Sequence, residues 1–166
     1  KIISDKFNIK NYIYAFDTFE GMPEPGEKDF DLKKINAKEI YDKYKGKDVN
    51  ECYSNLEEVK KNISKFNSKY LSSFKFIKGK VENTLLETKN LPEKISLLRL
   101  DTDFYESTKK ELETLYPRLV SGGVLIIDDY GHWKGSKKAV DEFFNLNETF
   151  EWFHRIDYAS RLLIKK

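Results

Sequence analysis

The chain has 166 residues, 39% of them hydrophobic and 35% charged, with a formal net charge of +2 and a single cysteine, Cys52. That length suits one domain around one core, and no run nears the roughly eighteen apolar residues of a membrane span. The 30 basic and 28 acidic residues are interspersed, whereas a nucleic-acid binder gathers its Lys and Arg on one face. The lone cysteine excludes an internal disulfide and a multi-cysteine zinc site.

No charged leader followed by an apolar stretch opens the chain, so the expected location is cytoplasmic, with neither nucleic acid nor membrane as partner. The first residue is Lys1 rather than Met, and we expect residues 1–166 to form one domain truncated at its N-terminus. Asn11–Asp17 (NYIYAFD) is short, aromatic and β-branched and stops at an acid, the pattern of a buried strand. Pro23, Pro25 and Gly26 then break the chain, and a Lys-rich stretch to about Val49 reads as loop and short helix.

Ser54 and Glu57 have the spacing of a capping box, which predicts a helix running to about Phe66 or Tyr70. Phe74–Lys78 (FKFIK) alternates like a strand and ends at Gly79, and Thr84–Thr88 reads as a short helix. Ile95–Asp101 (ISLLRLD) is a nearly continuous apolar run ending in an acid, as in a central parallel strand covered on both faces. Thr108 and Glu111 form a second capping-box spacing, ahead of Leu112, Leu115, Tyr116 and Leu119 at helical intervals. Gly122 and Gly123 turn the chain into a buried strand, Val124–Asp128 (VLIID). Ala139, Val140, Phe143 and Phe144 mark a helix face, and strands near Glu151–Arg155 and Arg161–Ile164 close the chain. Such alternation predicts an α/β fold with a mostly parallel, doubly wound sheet.

Three of these strands end in acids: Asp17, Asp101 with Asp103 two residues on, and Asp128 with Asp129 adjacent. Ligands of open α/β sheets sit outside the carboxyl ends of the strands. Neighbouring strands would bring Asp101, Asp128 and Asp129 together, where their repulsion needs protons or a cation, and all-oxygen ligation suits Mg²⁺ or Ca²⁺. The blander alternative makes Asp128 and Asp129 a solvated pair and Asp101 the cap of the following helix. Asp17 is placed either to accept ribose hydroxyls or to serve as a turn residue. His132 is read as a loop histidine rather than a base, His154 as structural, and Cys52 as a packed small residue.

Four stretches in order, YAFDTFEGMPEP (Tyr14–Pro25), KGKVENTL (Lys78–Leu85), LLRLDTDFYESTKKELETLYPRL (Leu97–Leu119) and GGVLIIDDYGHWKGSKKAVDEF (Gly122–Phe143), resemble the macrocin O-methyltransferase family. The resemblance implies a Rossmann-like class I methyltransferase fold, S-adenosylmethionine as methyl donor, Mg²⁺ as cofactor, and transfer to a hydroxyl of a sugar or glycosylated small molecule. It assigns Asp101, Asp128 and Asp129 to the metal, with Asp101 also as base. It sets Asp17, Thr18, Phe19, Glu20, Gly21, Glu82 and Asn83 beside the cofactor. Thr18 replaces a more usual Ser, Asn83 stands where Asp is frequent, and His132 falls at a variable position. The family's first strand and glycine-rich loop should precede Asp17 by about thirty residues, so the first strand is expected to be missing from this chain. A non-catalytic, methyltransferase-like binding module is the competing expectation, and homo-oligomer formation stays open.

Overall fold

The structure is a computed structural model and describes residues 1–45, 53–146 and 152–166. In chain order the elements are α1 (Ile2–Lys6), β1 (Ile13–Asp17), α2 (Ala37–Tyr44), α3 (Leu56–Asn67), β2 (Phe74–Lys78), α4 (Val81–Thr84), β3 (Ile95–Leu100), α5 (Tyr105–Leu115), β4 (Leu119–Ile127), α6 (Lys134–Leu146), β5 (His154–Arg155) and β6 (Arg161–Ile164). Short 3₁₀ turns precede β2, separate α4 from β3, and link α5 to β4. Cys52 lies outside the described residues.

Pairing divides the strands into two sheets. β1 and β2 form a parallel pair, and a four-stranded sheet runs β3-β4-β6-β5. Within it β3 and β4 are parallel, whereas β6 is antiparallel to both β4 and β5. The sheet is therefore less parallel than its sequence predicts. The reason is the connection: residues 156–160 between β5 and β6 form a tight turn, closed by Ile156 N–H donating to the Ser160 carbonyl at 3.1 Å. A turn that short reverses the chain, while parallel neighbours need a long crossover.

Side-chain rows across this sheet show where the core lies. Leu98, Leu125 and Leu163 are paired neighbours on one face, exposed by only 7%, 0% and 0%. Burying each Leu is worth about 1.5–3 kcal/mol relative to leaving it in water. Leu112 and Leu115 of α5 and Val140 and Phe144 of α6 belong to the same core. The adjacent row, Leu97, Val124 and Ile164, points to the other face, where Leu97 and Ile164 are 60% and 55% exposed. The apolar run of β3 is thus covered on one face among the described residues, not on both.

Helix starts also differ from the sequence expectation. Asn55, not Ser54, caps α3, its Oδ1 accepting the Glu58 N–H at 2.9 Å. Asn is as good a cap as Ser, and a shift of one residue uses it. α4 begins three residues before the predicted helix. α5 begins at Tyr105, so Thr108 and Glu111 lie inside it, both buried. Gly122 and Gly123 sit within β4, where Gly122 takes φ +75° as the register against β3 slips.

The cap of α5 comes from far away in the chain. Asp29, 1% exposed, accepts the Tyr105 N–H through Oδ1 at 2.8 Å and the Gly26 N–H through Oδ2 at 2.8 Å. Its own carbonyl accepts the N–H of Ala37, the first residue of α2, and the Phe30 carbonyl accepts the Lys134 N–H that opens α6. Burial pushes the Asp29 carboxyl up from its ordinary pKa, and the two N–H donors oppose that shift. One loop therefore pins the starts of three helices.

A Cβ on Gly135 would lie 2.0 Å from Asp29 Oδ1 and 3.1 Å from the Tyr105 nitrogen. Gly to Ala at an open helix position stabilises by up to about 1 kcal/mol. Gly135→Ala should do the opposite, destabilising by about 1–3 kcal/mol through loss of the buried Asp29 hydrogen bonds. Urea unfolding measures this, and a raised midpoint would contradict the staple.

Candidate functional site

The parallel register of β3 and β4 ends level: Leu100 pairs with Ile127, and the Asp128 N–H donates to the Leu100 carbonyl at 3.0 Å. Asp101 and Asp128 consequently leave their strands side by side. Asp101, Asp128 and Asp129 each offer a carboxylate oxygen, and these three atoms lie within 4.8 Å of one another. Asp101 is exposed, and the other two are partly buried.

Two sets of contacts orient the acids. Arg99, two residues before Asp101 on the same face of β3, reaches Asp101 Oδ2 at 2.7 Å and Asp128 Oδ2 at 3.1 Å. The Ser160 hydroxyl donates to Asp128 Oδ1 at 3.1 Å. On the other side, the Asp103 N–H donates to Asp129 Oδ2 at 3.2 Å, and the Trp133 indole bonds the Asp103 carboxyl. The Asp129 carbonyl accepts the N–H groups of His132 and Trp133 at 3.0 and 2.9 Å, which curls the chain into α6. Gly131 permits close packing there, because a Cβ would meet the Tyr158 carbonyl oxygen at 1.9 Å.

Charge crowding sets the titration of the group. Burial, then contact with Asp128, pushes Asp101 up to about 6. Burial, then contact with Asp103, pushes Asp129 up to about 8. Asp103 is also raised by burial. Burial raises Asp128 as well, but the contacts with Asp101, Ser160 and Arg99 outweigh it and hold its carboxyl below the ordinary range. Near neutral pH Asp129 thus keeps its proton, Asp101 holds one only below about 6, and Asp128 stays ionised. Such a set of oxygen donors, starved of positive charge, fits a hard divalent cation.

The second group lies at the carboxyl ends of β1 and β2. Asp17 ends β1, and its Oδ1 accepts the Phe19 N–H at 2.6 Å. The Thr18 hydroxyl donates to the Gly21 carbonyl at 2.6 Å and accepts the Glu20 N–H at 3.2 Å. Phe19 is buried against Phe76 with φ +52°, and Gly21 has φ +91°. Glu20 pairs with Lys78 at the end of β2 at 2.6 Å. Glu82 and Asn83 sit in α4, partly buried and exposed respectively, directly after β2.

A family profile described as "Macrocin-O-methyltransferase (TylF)" matches residues 3–164 of the chain. The chain belongs to the macrocin O-methyltransferase family. It is 31% identical over 135 residues to a demethyldecarbamoylnovobiocin O-methyltransferase of Streptomyces niveus, a match spanning 79% of this chain and 46% of that protein. It is 33% identical over 118 residues to an 8-demethyl-8-(2,3-dimethoxy-alpha-L-rhamnosyl)-tetracenomycin-C 4'-O-methyltransferase of Streptomyces olivaceus, spanning 71% of this chain and 41% of that one. The chain thus spans under half the length of these curated relatives. Among solved structures, the O-methyltransferase NovP superposes with a TM-score of 0.81 at 25% identity, over 99% of this chain and 64% of NovP. CalS11, a calicheamicin methyltransferase, gives 0.61 at 21% identity over 92% of this chain and 60% of CalS11, which supports the α/β methyltransferase fold.

Of the residues singled out from sequence, the structure brings Asp101, Asp128 and Asp129 together and gathers Asp17–Gly21 into one tight turn. Asp101 does not cap α5, because Asp29 does. His132 is a loop residue with Nδ1 at 3.4 Å from the Tyr158 hydroxyl, and His154 lies exposed in β5. Arg99, Ser160 and Trp133 contact this group of acids without having been singled out for it. Their contacts with Asp128 and Asp103 join residues distant in sequence, Ser160 and Asp128 being 32 apart, which residue type and local spacing do not reveal.

For a raised carboxyl the native protein keeps protons that the unfolded chain, at an ordinary value of 3.8, has released. These protons favour the native state most fully below about pH 4, and that contribution is lost as pH rises toward 8. In chelator-containing buffer, the Tm of Asp129→Asn should therefore fall less than the parent's between about pH 5 and about pH 8. Parallel declines in the two proteins would show that Asp129 is not a source of this pH dependence.

Proposed function

We propose that the protein is an S-adenosylmethionine-dependent O-methyltransferase acting, with Mg²⁺ as cofactor, on a hydroxyl of a sugar or glycosylated small molecule. The observation that carries this reading is the cluster of three carboxylate oxygens within 4.8 Å, at adjacent strand ends of a chain in this family. The acceptor class rests on the curated relatives, one of which is named for a rhamnosyl-bearing tetracenomycin.

Asp101, Asp128 and Asp129 would hold the cation. Bound there, it would lower the pKa of the acceptor hydroxyl and fix that oxygen. Asp101 is the exposed member of the three, so its carboxylate is the one open to an incoming hydroxyl and placed to take its proton. Positive charge beside Asp101 also favours its ionised, proton-accepting form. Arg99 holds Asp101 and, with Ser160, Asp128, while the Asp103 N–H holds Asp129, so all three acids are oriented before any ligand arrives.

Asp17, Thr18, Phe19, Glu20, Gly21, Glu82 and Asn83 form the proposed methyl-donor side. Among the described residues Asp17 Oδ1 is committed to its own turn and no partner is recorded for Oδ2, which suits acceptance from a ribose hydroxyl. The chain's part in catalysis is then placement: the acids fix the acceptor oxygen, and the Asp17 turn fixes the donor. Alignment of reacting atoms of this kind accounts for a large share of the acceleration in bimolecular transfers.

Asp101→Asn keeps the size of the side chain and removes the base and one anionic ligand. Methyl transfer from labelled S-adenosylmethionine to a rhamnoside acceptor should fall by about 10²- to 10⁴-fold. The circular dichroism spectrum and the calorimetric affinity for S-adenosylhomocysteine should stay close to the parent's. Full transfer activity in this variant would remove the mechanism, and no S-adenosylhomocysteine binding by the parent would remove the donor.

A further inference from the structure

Glu111 is an acid in the wrong place for stability. It lies in the second turn of α5, 4% exposed, and among the described residues the leading charges that act on it are those of Glu82, Asp129 and Asp101, all negative. Its Oε2 accepts a hydrogen bond from the Thr102 hydroxyl at 2.9 Å. An aliphatic or amide side chain there would avoid the cost of burying a carboxyl among carboxyls. Burial accordingly pushes Glu111 up to about 8, so it is held as a neutral acid near neutral pH.

What this acid touches gives it a purpose. Thr102 is the residue between Asp101 and Asp103, where the chain leaves β3 and bends into α5. The bend is strained: Asp103 adopts φ +65°, a left-handed conformation unusual for a residue other than glycine. Such conformations persist only where the surroundings over-determine them. The Thr102 carbonyl is held by the Phe104 N–H at 2.7 Å and the Ser107 hydroxyl at 3.0 Å, and the Thr102 hydroxyl is held by Glu111. The same bend aims the Asp103 N–H at Asp129, 3.2 Å away. Releasing the Thr102 hydroxyl would therefore loosen Asp101 directly and Asp129 through Asp103.

We propose that Glu111 is a positioning residue for the cation site, acting through the Thr102 hydroxyl to hold Asp101 and Asp129 in ligating geometry. The proposal rests on the reading that these acids bind a divalent cation, and it adds a residue outside the ligand set.

The test is Mn²⁺ binding, followed by electron paramagnetic resonance of the free ion, on the parent and four variants. Glu111→Ala and Thr102→Val should each weaken Mn²⁺ by about tenfold or more, the range seen when partners behind metal ligands are removed. Combining them should cost no more than the worse single change, since both remove one contact. Glu111→Gln, which still offers an oxygen to Thr102, should keep an affinity near the parent's. Should Glu111→Ala fail to fold, Thr102→Val against Glu111→Gln carries the same comparison. A role confined to stability would shift Tm and leave Mn²⁺ affinity unchanged. Parent-like affinity in folded Glu111→Ala or Thr102→Val overturns the proposal, as does a Glu111→Gln variant that loses Mn²⁺. No Mn²⁺ binding by the parent itself would overturn the cation reading and this proposal with it, whereas parental binding untouched by the variants overturns only the positioning role.

Discussion

Mutual repulsion among carboxyl groups at the tips of two neighbouring parallel strands is the constraint from which the rest of this structure follows. Asp101, Asp103, Asp128, Asp129 and Glu111 act on one another there, and Arg99 pairs with Asp101 and Asp128. Two unit charges 4 Å apart interact by about 4 kcal/mol at the effective dielectric near a protein surface. Several such pairs would exceed the margin of a small domain's stability. The protein meets the cost by keeping a proton on Asp129 near neutral pH, by Arg99, and by N–H donors. Each of those devices stands in for positive charge.

Regular strands were legible because their signals are local. The boundaries of β2 and β6 and the apolar face of α6 follow from alternation and helical spacing alone. Convergence of Asp101 with Asp128 and Asp129 was legible too, since consecutive strands joined by one helix tend to be parallel neighbours. What escaped was everything decided by distant partners. The start of α5 was misplaced because its cap, Asp29, sits 76 residues upstream. Thr108 and Glu111 imitate a capping box by spacing, yet their polar groups turn toward Ser136 and Thr102 inside the fold. The run ISLLRL was read as doubly covered because apolar content does not report which face is covered; Leu97 at 60% exposure and Leu98 at 7% differ by facing alone.

The comparisons and the geometry support each other at different depths. Family membership rests on a match along almost the whole chain, while the strand pairing shows how Asp101 and Asp128 come to lie side by side. The residues proposed for the donor side are less constrained by the structure than the acids. Their turn is well ordered by its own hydrogen bonds, but it stands on the separate two-stranded sheet. The acid cluster is built on the four-stranded sheet and its helices, where the deepest burial lies.

That division explains why α5 carries so many of the site's supports. Its first N–H is held by Asp29, its third residue Ser107 binds the Thr102 carbonyl, and its seventh, Glu111, binds the Thr102 hydroxyl. Its apolar side meanwhile packs Leu112 and Leu115 into the core. A helix fixed at its N-terminus and along its core face cannot rotate or slide without breaking one of these sets. The bend between β3 and α5 therefore has rigid elements on both sides, and a left-handed Asp103 becomes affordable there. On this view the buried carboxyls at residues 29 and 111 serve a common end: each gives up some stability so that a short bend between strand and helix keeps Asp101 and Asp129 in place, as sites that demand fixed ligand geometry require.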